Sequence, residues 1–202
     1  MKKKILLGLA AIGFAIVLTS CQKIPQAEID AANAAVEQTK AAQAETYVPE
    51  EYTALQDSLR VALESIEAQK SKLFKKYSKP KAQLILVATQ AATVKASAEA
   101  KKEQVKAEVT QLLADVNALV TEDKALLAKA PKGKEGKAAL EAIKGDIATI
   151  EASITDVNNL VTSGDFMAAD YKIKASKEKA TEINTELKDA IAKVKGKGKG
   201  KK

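Results

Sequence analysis

The 202-residue chain has no histidine, no tryptophan, one cysteine and one arginine, Arg60. Each absence removes a class of chemistry. Without histidine there is no Ser-His or Cys-His nucleophile pair and no imidazole metal site. A single cysteine allows neither an intramolecular disulfide nor a thiolate cage. Aromatic residues make up 3% of the chain, too few for the stacking platforms that grip single-stranded nucleic acid. One arginine leaves almost no bidentate base readout, so nucleic acid is the least expected partner. The chain also lacks any sustained period-two alternation or hairpin turn signal, which speaks against strands.

What is present begins with a leader. Lys2, Lys3 and Lys4 precede an uncharged apolar run from Ile5 to about Leu18. The run is long for the apolar part of a signal peptide and short for a membrane span. It closes in Leu18-Thr19-Ser20-Cys21, with the only cysteine at the point where a signal would be cut. This tetrapeptide resembles the lipobox of bacterial lipoproteins. The resemblance implies a signal peptide over 1–20, a diacylglyceryl group on the Cys21 thiol and acylation of the new N-terminus. Two or more acyl chains hold a protein at a membrane, at about 0.8 kcal/mol per buried methylene. In enterobacterial lipoproteins an Asp after the cysteine favours inner-membrane retention, so by that resemblance Gln22 implies the outer membrane, facing the periplasm.

The remainder is rich in Ala, Lys, Glu and Leu, all good helix formers. Pro25, Pro49, Pro80 and Pro131 each fall between helical patterns, as expected of residues tolerated in a first turn and excluded from an interior. The pattern predicts helices over 25–47, 49–77, 80–129, 137–162 and 166–195. In the second, Tyr52, Leu59, Ile66 and Leu73 recur every seven residues, with Phe74 and Tyr77 beside them. In the third, Leu84, Ala91, Ala98, Val105, Leu112, Leu119 and Leu126 hold the same spacing, but their apolar companions shift near Glu99-Glu103. That shift predicts one continuous helix that changes partners midway. The fourth carries Leu140, Ile143, Ile147, Ile150, Ile154, Val157 and Val161 at alternating spacings of three and four. The fifth continues the spacing from Phe166 to Val194, and Gly196 is its expected stop.

The expected fold is therefore all-α: an elongated antiparallel helical bundle of two three-helix modules sharing a long central helix, spectrin-like in architecture. The expected organisation is a leader over 1–20, a lipidated Cys21 and linker over 21–24, a first module over 25–102, a second over 103–194 and a disordered Lys/Gly tail over 195–202. Five helices packed side by side are the competing arrangement.

The stretch from Ile24 to Leu59, with Pro25 before an Ala-rich helix and then Ala41 through Tyr47-Val48-Pro49-Glu50-Glu51-Tyr52, is similar to an alanine-rich helical domain of unknown function in bacterial envelope lipoproteins. Members carry a Tyr-Ala-Pro-Glu-type joint between two helices, and Val48 replaces the usual Ala. The resemblance covers about the first third of the chain after the leader. It implies a helical envelope lipoprotein and supplies no catalytic residues.

Carboxylate pairs such as Glu50-Glu51 and Glu122-Asp123 read as solvated helix faces, because acid-base or metal chemistry needs a cleft that slim bundles rarely offer. The tyrosines Tyr47, Tyr52, Tyr77 and Tyr171 read as packing residues near helix ends. No enzyme activity, cofactor or metal is expected. The tail is different. Lys193, Lys195, Lys197, Lys199, Lys201 and Lys202 alternate largely with glycine, and without the leader and this tail the chain is close to neutral. Such a polycation either meets a polyanion (peptidoglycan, lipopolysaccharide or anionic lipid) or only solubilises. A small helical outer-membrane lipoprotein cross-linked to peptidoglycan also ends in lysine; the sequence does not decide whether Lys202 is linked in the same way. The expected role is a lipid-anchored spacer, scaffold or tether of the envelope. The alternative is a helical adaptor for a protein partner, and long heptads also permit self-association.

Overall fold

A computed structural model of the chain describes residues 23–131 and 136–199. Among these residues there is no strand, and the elements are six helices: α1 Gln26–Ala41, α2 Ala44–Tyr47, α3 Pro49–Lys70, α4 Ser78–Lys129, α5 Gly136–Ser163 and α6 Phe166–Lys199. The described residues divide into two compact units between Lys101 and Lys102. The expected leader over 1–20 and the Leu18-Thr19-Ser20-Cys21 sequence lie outside the described residues, as do Gly200, Lys201 and Lys202. Among the described residues no helix is long and apolar enough to cross a membrane.

The prolines act as their chemistry requires. Pro25 caps α1 and accepts the Ile29 amide at 3.1 Å. Pro49 opens α3, with Glu50 and Glu51 in its first turn beside the exposed amides. Pro80 lies in the first turn of α4, and Pro131 follows its end. The expected first helix is instead two. After Ala41 the chain turns through Gln43, whose φ of 60° is the one left-handed non-glycine backbone among the described residues. The short α2 then seats Ala44 and Tyr47 in the core. The second helix is shorter than expected and stops at Lys70. Leu73, placed by heptad extrapolation in the seam, is 85% exposed, and Phe74 is 62% exposed. Helical phase carries meaning only while the helix lasts, and here it ends a turn too early for either residue to reach the core. Tyr77 is buried at the foot of the connecting loop.

In the first unit, Tyr52, Leu55, Ala62 and Ile66 of α3 face Leu84, Val87, Ala91, Val94 and Ala98 of α4, with Ala32 and Val36 of α1 completing the core. Residues 51–58 of α3 lie beside 90–94 of α4, so these two helices are antiparallel. Glu28 in the first turn of α1 bonds Lys81 at the start of α4 at 2.7 Å. Hence α1 and α4 start at the same end of the unit, and the α3–α4 loop sits there with them.

In the second unit, residues 102–129 of α4 pack with α5 and α6. The predicted α5 stripe of Ile143, Ile147, Ile150, Ile154 and Val157 is buried throughout. Phe166, Ala169, Ile173, Ala180, Ile183 and Leu187 of α6 are buried against it. Gly164, at φ 82°, supplies the left-handed turn between the two helices, and Asp165 caps α6 by accepting the Ala168 amide at 3.1 Å. Pairs between α4 and α6 advance together (Asp115 with Lys177, Glu122 with Lys188), so those helices run parallel. Asp156 with Lys172 and Asp146 with Lys179 make α5 antiparallel to α6.

One boundary lies further out. α6 runs to Lys199, past the expected stop at Gly196. Glycine in a helix interior costs about 1 kcal/mol relative to alanine but introduces no clash, so it weakens a helix without forbidding it.

Candidate functional site

The expected lipid-attachment residue, Cys21, lies outside the described residues. Of the expected polyanion-binding lysines, Lys193 is exposed on the last turns of α6. Lys195, Lys197 and Lys199 have helical backbone, and Lys201 and Lys202 fall outside the described residues. The parallel register of α4 and α6 carries Lys193 towards the end of the second unit where α4 meets α5.

One carboxylate departs from expectation. Asp123 is fully buried, with 0% exposure, rather than on a solvated face. The reason lies in the phase of α4. Past residue 102 the fully buried positions are Val109 and Val116, with Val105, Val120 and Ala130 nearly so, while Leu112, Leu119 and Leu126 are only half-buried. Val109, Val116, Asp123 and Ala130 are seven apart, so Asp123 occupies a core position of the heptad. Asn184 of α6 donates its Nδ2 proton to Asp123 Oδ1 at 2.8 Å. The second oxygen, Oδ2, has no hydrogen-bond partner among the described residues. Removal from water raises the Asp123 pKa above its usual value; the Asn184 bond opposes this, the neighbouring Glu122 charge adds to it and Lys188 offsets it. A second polar layer joins Ser153 of α5 to Ser176 of α6 at 2.8 Å, and Ser176 also donates to the Lys172 carbonyl. The signal for the first layer was in the sequence: extending Val109 and Val116 by seven reaches Asp123.

The surrounding acids behave oppositely. Lys177 bonds Asp115 at 2.6 Å and, with Gln111, holds its carboxyl below the usual range. Lys188, at 2.9 Å, lowers Glu122 in the same way. In the first unit Lys81 lowers Glu28. Tyr171, a packing residue on the sequence reading, is 81% exposed; it sits on the outer face of α6, one residue past Asp170.

Among the described residues no group of three His, Cys, Asp or Glu side chains could hold a metal ion. The surface offers open grooves. One, of about 800 Å³, lies between α4 and α5, with Leu127, Ala128, Leu140 and Ile147 along it and Lys124, Lys137 and Glu141 at its edges. No family model, curated protein or solved structure matches the chain.

Proposed function

We propose that this protein is a lipid-anchored, non-enzymatic spacer or tether of a bacterial envelope. It is held through Cys21 at the outer membrane, faces the periplasm and touches an anionic polymer or surface with its lysine tail. In this reading the two units are three-helix modules that share α4, as in spectrin-like repeats. The observation that carries it is α4 itself, an unbroken helix of 52 residues. It supplies core residues to both units. Such a helix suits reach better than enclosure. The lipobox sequence and the exposed Lys193 supply a chemistry for each end.

Two measurements test it. Small-angle scattering of the chain from Gln22 onward should give an elongated particle, and a compact profile would end the spacer reading. Co-sedimentation with peptidoglycan sacculi should be salt-sensitive and should need the residues after Val194. Equal binding by a chain ending at Val194 would remove the tail from the account. Palmitate incorporation into the full chain, lost on Cys21→Ala, tests the anchor separately.

The α4–α5 groove favours a second reading, a helical adaptor whose apolar trough takes a partner helix. Cross-linking from Leu140 in intact cells should then yield one discrete product, and a diffuse pattern would count against it.

A further inference from the structure

The α3–α4 loop combines three properties. Its tip presents Leu73 and Phe74, the two most exposed large apolar side chains of the first unit. Lys72, Lys75 and Lys76 surround them, with Lys79 just beyond, and no carboxylate among the described residues forms an ion pair with any of the four. The sequence keeps acids away: no Asp or Glu occurs between Glu67 and Glu99. The loop is nevertheless held at its base. The Lys76 amide donates to Gln69 Oε1 at 3.3 Å, the Lys72 amide donates to the Gln69 carbonyl at 3.2 Å, and Tyr77 and Pro80 are buried. An open groove of about 820 Å³ beside the loop has Lys75, Lys76 and Lys79 among its lining residues.

Position adds a further constraint. The Glu28–Lys81 pair puts the start of α1 and the start of α4 at one end of the first unit. The loop therefore lies at the same end of the unit as Lys23 and Ile24, and Ile24 is itself exposed. A membrane reached through the N-terminal end would meet the loop.

We propose that residues 71–77 form a membrane-contact element that places Leu73 and Phe74 in the interface of an anionic phospholipid bilayer, with the lysines on its headgroups. Lysine stems bury their methylenes while the ammonium groups stay with phosphate, so the two residue types act on one surface without conflict. A soluble polyanion would use the lysines alone and leave Leu73 and Phe74 without a role, and for that reason the bilayer is favoured. The inference deepens the anchored reading but does not require acylation of Cys21, so the two can fail independently.

The test uses the unacylated chain from Gln22 to Lys202, which keeps every described residue. Because the chain has no tryptophan, Phe74→Trp reports on the loop alone, and Tyr171→Trp is an exposed control in the second unit. Vesicles containing phosphatidylglycerol should shift the indole emission of the Phe74→Trp chain to the blue, and vesicles of phosphatidylcholine alone should not. The emission of the Tyr171→Trp chain should stay unshifted with both. Lys72→Gln/Lys75→Gln/Lys76→Gln should weaken vesicle binding about 100-fold, at roughly fivefold per lysine near an anionic surface. Leu73→Ser/Phe74→Ser should weaken it about tenfold or more at unchanged charge. Both variants alter exposed residues, and unchanged circular dichroism verifies their folding. No blue shift at position 74, or vesicle binding lost with the lysines but indifferent to Leu73 and Phe74, overturns the proposal. The second result would make the loop a polyanion contact. Binding that disappears only when the residues after Val194 are removed overturns it in favour of the tail.

Discussion

In the first unit, ion pairs run mostly along single helices: Arg60 with Asp57 and Glu64, Lys70 with Glu67, and Lys95 with Glu99. Glu28 with Lys81 crosses between helices. In the second unit most pairs cross. Lys124 reaches Glu151, Lys172 reaches Asp156, Lys177 reaches Asp115, Lys179 reaches Asp146 and Lys188 reaches Glu122. Two polar layers, Asp123 with Asn184 and Ser153 with Ser176, lie in or beside its core. Exposed pairs add little stability individually. A polar residue in a helical seam instead penalises every wrong register, because a shifted neighbour leaves it buried without a partner. The second unit thus uses its charge to fix its own alignment. The first leaves lysines and two large apolar side chains free at one end, where they can meet something else.

The strongest way to sharpen this comparison is to damage one core at a time. Leu84 and Leu187 are both fully buried, and truncation of either to alanine should cost about 3 kcal/mol. Hydrogen exchange read by mass spectrometry should show Leu187→Ala loosening α5, α6 and residues 102–129 ahead of α1 and α3, and Leu84→Ala doing the reverse. Equal loss of protection in both units would merge them into a single cooperative body.

Asp123 offers the next largest effect, through pH. Its pKa is raised in the fold by desolvation. Between its unfolded value and that raised value, the native state keeps a proton that the unfolded chain has released. Stability therefore falls as pH rises through this window. Glu28, Asp115 and Glu122 are lowered by their lysine partners and act the other way: their contribution is present above the unfolded value and is lost as pH falls through the lowered one. Asp123→Asn keeps a hydrogen-bonding amide opposite Asn184 and should remove only the first effect. Urea midpoints of the variant and the natural chain should diverge progressively from acidic to neutral pH, with the variant more stable at neutral pH. Parallel midpoints at every pH would show that Asp123 does not titrate as its burial requires.

A smaller change belongs to the first unit. Gln43 holds a left-handed backbone that glycine adopts without a Cβ clash. Gln43→Gly should stabilise the chain by about 0.5–1 kcal/mol in thermal unfolding, and a loss would mean that the Gln43 side chain contributes more than its backbone strain removes. The least effect is expected from Lys81→Gln. The Glu28 carboxyl should return towards its usual value in an NMR titration while global unfolding barely moves. An unchanged Glu28 titration would show that the Glu28–Lys81 pair is not formed in solution.

Much of the helical pattern was legible because helices carry their own periodicity. The prolines marked the breaks, and the isoleucine stripe of α5 is buried as its spacing requires. The failures share a cause. Leu73 and Phe74 continue a heptad in sequence, but α3 stops at Lys70 and phase loses its meaning. Gln43 breaks a run of good helix formers because the connection to α3 needs a turn there, and no propensity scale marks glutamine as a turn residue. Tyr171 looks like a packing residue and lies on an uncovered face. The acid-free stretch around the α3–α4 loop is visible as composition, but its grouping with exposed apolar residues at the N-terminal end of a unit comes only from the fold.

By itself, then, the sequence determined which segments are helical, where proline divides them and which stripe each amphipathic helix must bury, since these depend on spacing within a few turns. Only the tertiary structure decided the working face of α4 beyond residue 102. That stretch carries two apolar rows, Leu112, Leu119 and Leu126 beside Val109 and Val116, and a helix can turn either towards a partner. The positions of α5 and α6 select the valine row, because the core closes around the side chains that both neighbours reach. That choice carries Asp123 inward to meet Asn184.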